Sequence, residues 1–177
     1  QQEQVKQLLA RGIAHQQKGQ LREARQFYEQ ILRQSPNHPD ALHLLGLVHH
    51  LQGESDRGVE LICAAIALRP DIAEFQLNLG RMLTALGRAR DAADVFRRLT
   101  NHSAFAAEAW HRLGMALSIL EDHGGAIAAL RKSAEINPGS VATWNNLGNE
   151  FRDVGQLDDA MQSLQRALSL GRDMAGT

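Results

Sequence analysis

An all-α fold of five consecutive helical hairpins is predicted by three observations on this 177-residue sequence. Gly12, Gly46, Gly80, Gly114 and Gly148 stand 34 residues apart, and a second series, Gly19, Gly53, Gly87 and Gly155, follows seven residues later with Glu121 in the missing place. Between and after these glycines, apolar residues recur at three- and four-residue spacing, the period of one helix face. Pro36, Pro70 and Pro138 keep the same repeat with Ala104 in the gap, and so do the small residues Ala24, Gly58, Ala92, Ala126 and Ala160.

Each repeat reads as helix, turn, helix, as Trp110, Leu113, Gly114 and Leu117 followed by Ala126, Ile127, Leu130 and Ala134 show. The second glycine suits the left-handed conformation that ends a helix, and the proline stops the second helix before the next repeat. The first glycine lies inside a helix, where it costs about 1 kcal/mol against alanine, so a close approach of two helices is expected there. The small residue of the second helix is expected to face it with no side chain between.

The repeats run 5–38, 39–72, 73–106, 107–140 and 141–174, a single array with terminal segments 1–4 and 175–177. The first keeps Leu8, Gly12, Ala24, Tyr28 and Pro36 but has Arg11 at a leucine position, which fits a solvent-facing start. The second keeps Leu42, Leu45, Gly46, Ile62 and Pro70. In the third, Leu79, Gly80, Leu83, Ala92 and Phe96 are in place, but Gln76 and Ala104 replace a tryptophan and a proline. Thr100 to Ser103 is a polar break, which makes the junction of repeats three and four the expected weak point. Repeat five carries Trp144, Leu147, Gly148, Phe151, Ala160 and Leu164. Its second helix closes with Met161, Leu164, Ala167, Leu168 and Leu170, an apolar end for which Gly171 to Thr177 are too few residues to form a capping helix. A further repeat or domain, or a second copy of the chain, is expected to cover it.

These positions resemble the tetratricopeptide repeat, W-x-x-L-G-x-x-Y, then A-x-x-x-F, then P, over almost the whole chain. The resemblance implies a right-handed superhelical solenoid that binds a peptide or protein in a concave groove lined by the first helix of each repeat. The second, fifth, sixth, ninth and twelfth positions of each repeat would then face the ligand. On this basis Asn78, Arg81, His111, Arg112, Asn145, Asn146 and Asn149 are expected to anchor a partner, with His43 and Leu47, beside Leu9 and Ile13, forming an apolar end. The carboxylate clamp found in some relatives is not matched, since His43, Leu47 and Glu108 stand where Lys, Asn and Lys are needed. The sixth position is also where O-linked N-acetylglucosamine transferases resemble this chain, through asparagines that grip a substrate's main chain. Asn78 and Asn146 occupy it here, whereas Ala10, Leu44 and Arg112 do not. The run Trp144 to Asn149 is similar to repeat regions of bacterial proteins of that type.

Composition narrows the function classes. With 44% hydrophobic and 22% charged residues the chain is a folded one, and 19 basic against 20 acidic residues give no overall attraction to nucleic acid or an anionic membrane. A single cysteine, Cys63, excludes a disulfide framework within the chain. No apolar run is long enough to span a bilayer, and Gln1 opens no leader pattern. His15 and His49 share the eleventh position of their repeats and are expected to pack, while His43 and His50 share a face without a metal motif. His123, Gly124 and Gly125 fall in a hairpin turn, and Cys63 falls on the outer face of a second helix, where the sequence offers no histidine and asparagine constellation of a catalytic thiol. The expected function is therefore a scaffold that binds a protein or peptide, without catalysis, cofactor, metal, nucleic acid or membrane insertion. Two alternatives are the substrate-recognition arm of a larger enzyme, such as an O-GlcNAc-type glycosyltransferase, and a homo-oligomer joined through the apolar end of repeat five. A cytoplasmic location is expected, or a periplasmic one for a chain whose leader has been removed.

Overall fold

The computed structural model describes residues 2–175, with side chains as far as residue 173. Gln1, Gly176 and Thr177, assigned above to the terminal segments, lie outside the described residues, as does the side chain of Met174. In chain order the helices are α1 Gln2–Gln17, α2 Leu21–Gln34, α3 Pro39–Leu51, α4 Ser55–Leu68, α5 Ala73–Ala85, α6 Ala89–Leu99, α7 Ala106–Ile119, α8 His123–Ile136, α9 Val141–Asp153 and α10 Leu157–Ala175. No strand occurs among the described residues.

The turns follow from backbone sterics. Gly19, Gly53, Gly87 and Gly155 have φ of +74°, +86°, +72° and +77°, and Glu121 adopts +61° at the position where the glycine is missing. In four of these turns the N–H one residue further on donates to a carbonyl five residues back, as from Gln20 to His15 O at 2.9 Å and from Asp122 to Leu117 O at 2.9 Å. This is the bond that closes a helix around a left-handed residue. A side chain with a Cβ is disfavoured there by about 1–2 kcal/mol, so Glu121→Gly is expected to stabilise the protein by about 1 kcal/mol after the added freedom of the unfolded chain is counted. A thermal melt checks this, and an unchanged or lower midpoint contradicts it.

The prolines act as read. Helices α2, α4 and α8 each end two residues before Pro36, Pro70 and Pro138. Where proline is absent, α6 ends earlier, at Leu99, and the chain turns through His102 N–H to Leu99 O (2.9 Å) and Phe105 N–H to His102 O (2.9 Å).

Two compact units make up the chain, residues 1–86 and 87–177, so the division between them falls in the third hairpin. In the N-terminal unit, Tyr28, Leu42, Leu45, Val48, Leu61 and Phe75 form a core shared by α2, α3, α4 and α5. In the C-terminal unit, Leu130, Leu147, Phe151 and Ala160 join α8, α9 and α10, with Ile127 and Trp144 packed against them.

One expectation about the mid-helix glycines is corrected. A side chain does lie between the paired helices. A Cβ on Gly114 would stand 2.6 Å from Leu130, and one on Gly148 would stand 2.7 Å from Leu164. The residue filling the notch comes four positions after the small one, because a helical side chain leans toward the turn preceding it. At Gly46 the carbonyl of Gly58 closes in as well, 2.8 Å from where a Cβ would stand, beside Ile62 Cγ1 at 2.7 Å.

Two smaller readings also change. His123, Gly124 and Gly125 begin α8, and the Asp122 carboxylate accepts the Gly125 N–H at 2.9 Å as the helix cap. Helix α10 continues through Gly171 to Ala175, and Ala167 packs inward, while Met161, Leu164 and Leu168 are exposed. Cys63 is exposed on α4, as expected.

Candidate functional site

In the C-terminal unit, α7 and α9 are the first helices of neighbouring hairpins and lie side by side, with two clefts along their shared face. The cleft toward the helix N-termini, about 390 Å³, is lined by Glu108, His111, Arg112, Ala142 and Thr143. The second, about 330 Å³, is lined by Met115, Ser118, Ile119, Asn146, Asn149 and Glu150.

A polar network fixes the floor of the first cleft. Thr143 is buried and its hydroxyl donates to Ser140 Oγ at 2.8 Å, while Ser133 Oγ donates to the carbonyl of Ala107 at 2.8 Å. With its proton committed, Thr143 Oγ1 accepts from His111 Nδ1 at 2.9 Å. That hydrogen bond assigns the tautomer and leaves His111 Nε2 as a lone-pair acceptor. Burial, with the neighbouring Arg112 cation, lowers the His111 pKa and keeps the ring neutral at pH 7. Arg112 Nε donates to Glu108 Oε1 at 2.7 Å, an i,i+4 pair about one-third exposed.

Deeper along the face, Glu150 is a buried carboxylate, 5% exposed. It accepts from Ser118 Oγ of α7 at Oε1 and from His123 Nδ1 of α8, 3.0 Å away, at Oε2. The carboxylate raises the His123 pKa by accepting its N–H. Asn146 and Asn149 are half-buried beside it, and Asn145 is exposed. None of the three amides is hydrogen-bonded among the described residues. Arg152 pairs with Asp153 at 3.2 Å.

The remaining expected anchors belong to the N-terminal unit. Here His43 is 4% exposed and stacks on Phe75 with ring centroids 4.4 Å apart. Its Nε2 accepts from Asn78 Nδ2 at 3.0 Å, so the imidazole orients the amide. Leu47 is half-buried on the same helix, Asn78 is half-buried, and Arg81 is exposed on α5. His50 bonds Ser55 Oγ at 2.8 Å, and His49, buried at 5%, bonds Glu54 Oε2 at 2.6 Å across the α3–α4 turn. No group of three or more His, Cys, Asp or Glu side chains among the described residues is placed to hold a metal ion.

Sequence reading missed the Ser118, His123 and Glu150 cluster, although a signal was present. The tenth position of successive repeats reads Ala14, Val48, Met82, Ala116 and then Glu150, a charge at a core position. Thr143 is the same kind of departure, following Ala41, Phe75 and Ala109 at the third position.

Tandem helical hairpins, with a polar face on adjacent first helices, define a repeat scaffold of the kind that carries protein interactions. Profiles of the tetratricopeptide repeat match residues 9–71, 52–104, 107–140 and 141–173, and the chain belongs to the tetratricopeptide repeat family. Human protein O-mannosyl-transferase TMTC1 is 25% identical over 156 residues, covering 86% of this chain and 18% of that protein. BBSome complex member BBS4 of Mus musculus is 27% identical over 128 residues, covering 72% of this chain and 24% of the relative. The chain therefore spans a quarter or less of either relative. Among solved structures, MamA from Desulfovibrio magneticus RS-1 superposes with a TM-score of 0.87 at 20% identity over 96% of each chain, a likeness of fold. No described helix is long and apolar enough to cross a membrane.

Proposed function

We propose that the α7–α9 face binds an extended peptide segment of a protein partner by its main chain. The observation that carries this reading is the pair Asn146 and Asn149, half-buried in one cleft and without a hydrogen-bond partner among the described residues. An amide offers a donor and an acceptor together, which matches the alternating N–H and C=O of an extended chain. His111 Nε2 adds an acceptor in the neighbouring cleft, and Arg112 and exposed Asn145 supply further polar contacts. Asn78, Arg81, His43 and Leu47 form a second peptide-contacting set on the N-terminal unit, with His43 acting through Asn78. Division into five 34-residue repeats is the proposed unit in which ligand residues are read, and the cytoplasm the proposed compartment.

The test is selection of displayed random peptides on the wild-type protein, then anisotropy titration of the enriched sequences against Asn146→Ala/Asn149→Ala. Loss of two amide contacts is expected to weaken binding about tenfold or more while leaving the melting curve in place. Equal affinity for both proteins contradicts the reading.

A second reading rests on the match to TMTC1: the same face would present substrate to the catalytic part of a larger enzyme, a glycosyltransferase. A third rests on α10, where Leu157 (66% exposed), Met161, Leu164 and Leu168 border an apolar cleft of about 380 Å³ suited to a second copy of the chain.

A further inference from the structure

We infer that the cleft holding Glu150 selects a lysine or arginine side chain of the bound peptide; this deepens, and rests on, the reading of the α7–α9 face given above. Three features of the cleft converge on such a side chain. Met115, Ile119 and Leu130 give the cleft lining an apolar part, beside the polar Ser118, Asn146, Asn149, Glu150, Arg152 and Asp153. At its base lies a carboxylate whose neighbour Ser118 is neutral, and the Arg152 and Asp153 charges beside it cancel each other. Free amides of Asn146 and Asn149 stand next to it, placed to hold main chain at the same point. An aliphatic stem with a cationic head buries the first against the walls and brings the second to the carboxylate. An acidic side chain is repelled, and an apolar one leaves Glu150 with no new partner.

The other charged group facing Glu150 is His123 of α8, itself influenced by Glu121 and Asp153. Protonated, it competes with the incoming cation. Neutral, it leaves the carboxylate charge uncompensated, so selection for the cation strengthens as pH rises through the His123 titration.

The experiment is an NMR titration of the labelled protein with the capped pentapeptide Ala-Ala-Lys-Ala-Ala and its norleucine counterpart, read at the Asn146 and Asn149 side-chain amides and the Met115 methyl group. The lysine peptide is expected to bind about fivefold tighter at about pH 8.5, with a smaller advantage at about pH 6 and on adding about 0.5 M salt. Glu150→Gln keeps the acceptor for Ser118 and removes the charge, and is expected to abolish the advantage. Equal binding of the two peptides by the wild type overturns cation selection while leaving the peptide face standing. Absence of any shift at these groups with either peptide overturns both. Should Glu150→Gln fail to fold, the wild-type comparison of the two peptides in low and high salt decides the matter alone.

Discussion

Replacing Gly46 with leucine is expected to destabilise the N-terminal unit by about 3 kcal/mol. A Cβ at Gly46 would stand 2.8 Å from the carbonyl oxygen of Gly58 and 2.7 Å from Ile62 Cγ1, while a Cβ at Gly58 would stand 2.6 Å from the carbonyl oxygen of Gly46. Backbone faces backbone in both directions, so relief requires α3 and α4 to separate. That separation loosens Leu45, Val48 and Leu61, all members of the unit's core. Overpacking of this kind costs about 1–3 kcal/mol when side chains alone can adjust, and a leucine against fixed backbone lies at the upper end. The same change at Gly148, where the Cβ would meet the movable Leu164 side chain at 2.7 Å and the Ala160 carbonyl only at 3.2 Å, is expected to cost less. Urea denaturation followed by circular dichroism compares the two variants. A smaller loss for Gly46→Leu than for Gly148→Leu would contradict the backbone argument.

Acid is expected to remove about 3 kcal/mol from the N-terminal unit through one imidazole. Burial against Phe75 lowers the His43 pKa from 6.5 to about 4, with Asp40 opposing the shift by its charge. In the folded state the ring is neutral, with Nε2 accepting from Asn78. Between about pH 4 and 6.5 the unfolded chain therefore binds more protons than the folded one. Stability is complete above 6.5, falls as pH is lowered through this window, and levels near 4; an interval of that width corresponds to about 3 kcal/mol. His123 works in the opposite sense, since Glu150 raises its pKa, and its contribution is present at low pH and lost as pH rises through the folded value. The two histidines belong to different units, so the measurement is the pH slope of unfolding free energy for wild type against His43→Gln. The variant is expected to show the shallower fall below pH 6.5, and equal slopes would show that His43 is not the group responsible. Because Asn78 loses its acceptor only when His43 is protonated in the folded state, peptide contacts through Asn78 should hold down to about pH 5 and weaken as the pH falls to about 4.

Most of the local architecture could be read from spacing alone, because it depends on groups within one turn of each other. Glu121 shows this best: its type gives no hint of a left-handed backbone, yet its place in the glycine series does, and its φ is +61°. The helix ends before Pro36, Pro70 and Pro138 are equally local, since a missing N–H and a fixed φ act on the residues immediately before them. The site was legible in part. Asn146, Asn149, His111 and Arg112 could be placed on one face by their positions in the repeat. That His43 would be buried under Asn78 could not, because it depends on Phe75 of the next first helix lying flat against the ring.

What the sequence determined by itself is the all-α hairpin repeat and the helix face each side chain occupies, since periodicity and turn chemistry act along the chain. Only the tertiary structure decided which side chain fills each glycine notch, that Ala167 turns inward while its neighbours stay exposed, and that Glu150 meets Ser118 and His123 in a cleft. The notch and cleft contacts join residues from 16 to 32 positions apart on different helices, a distance over which spacing carries no information but close packing leaves a single arrangement.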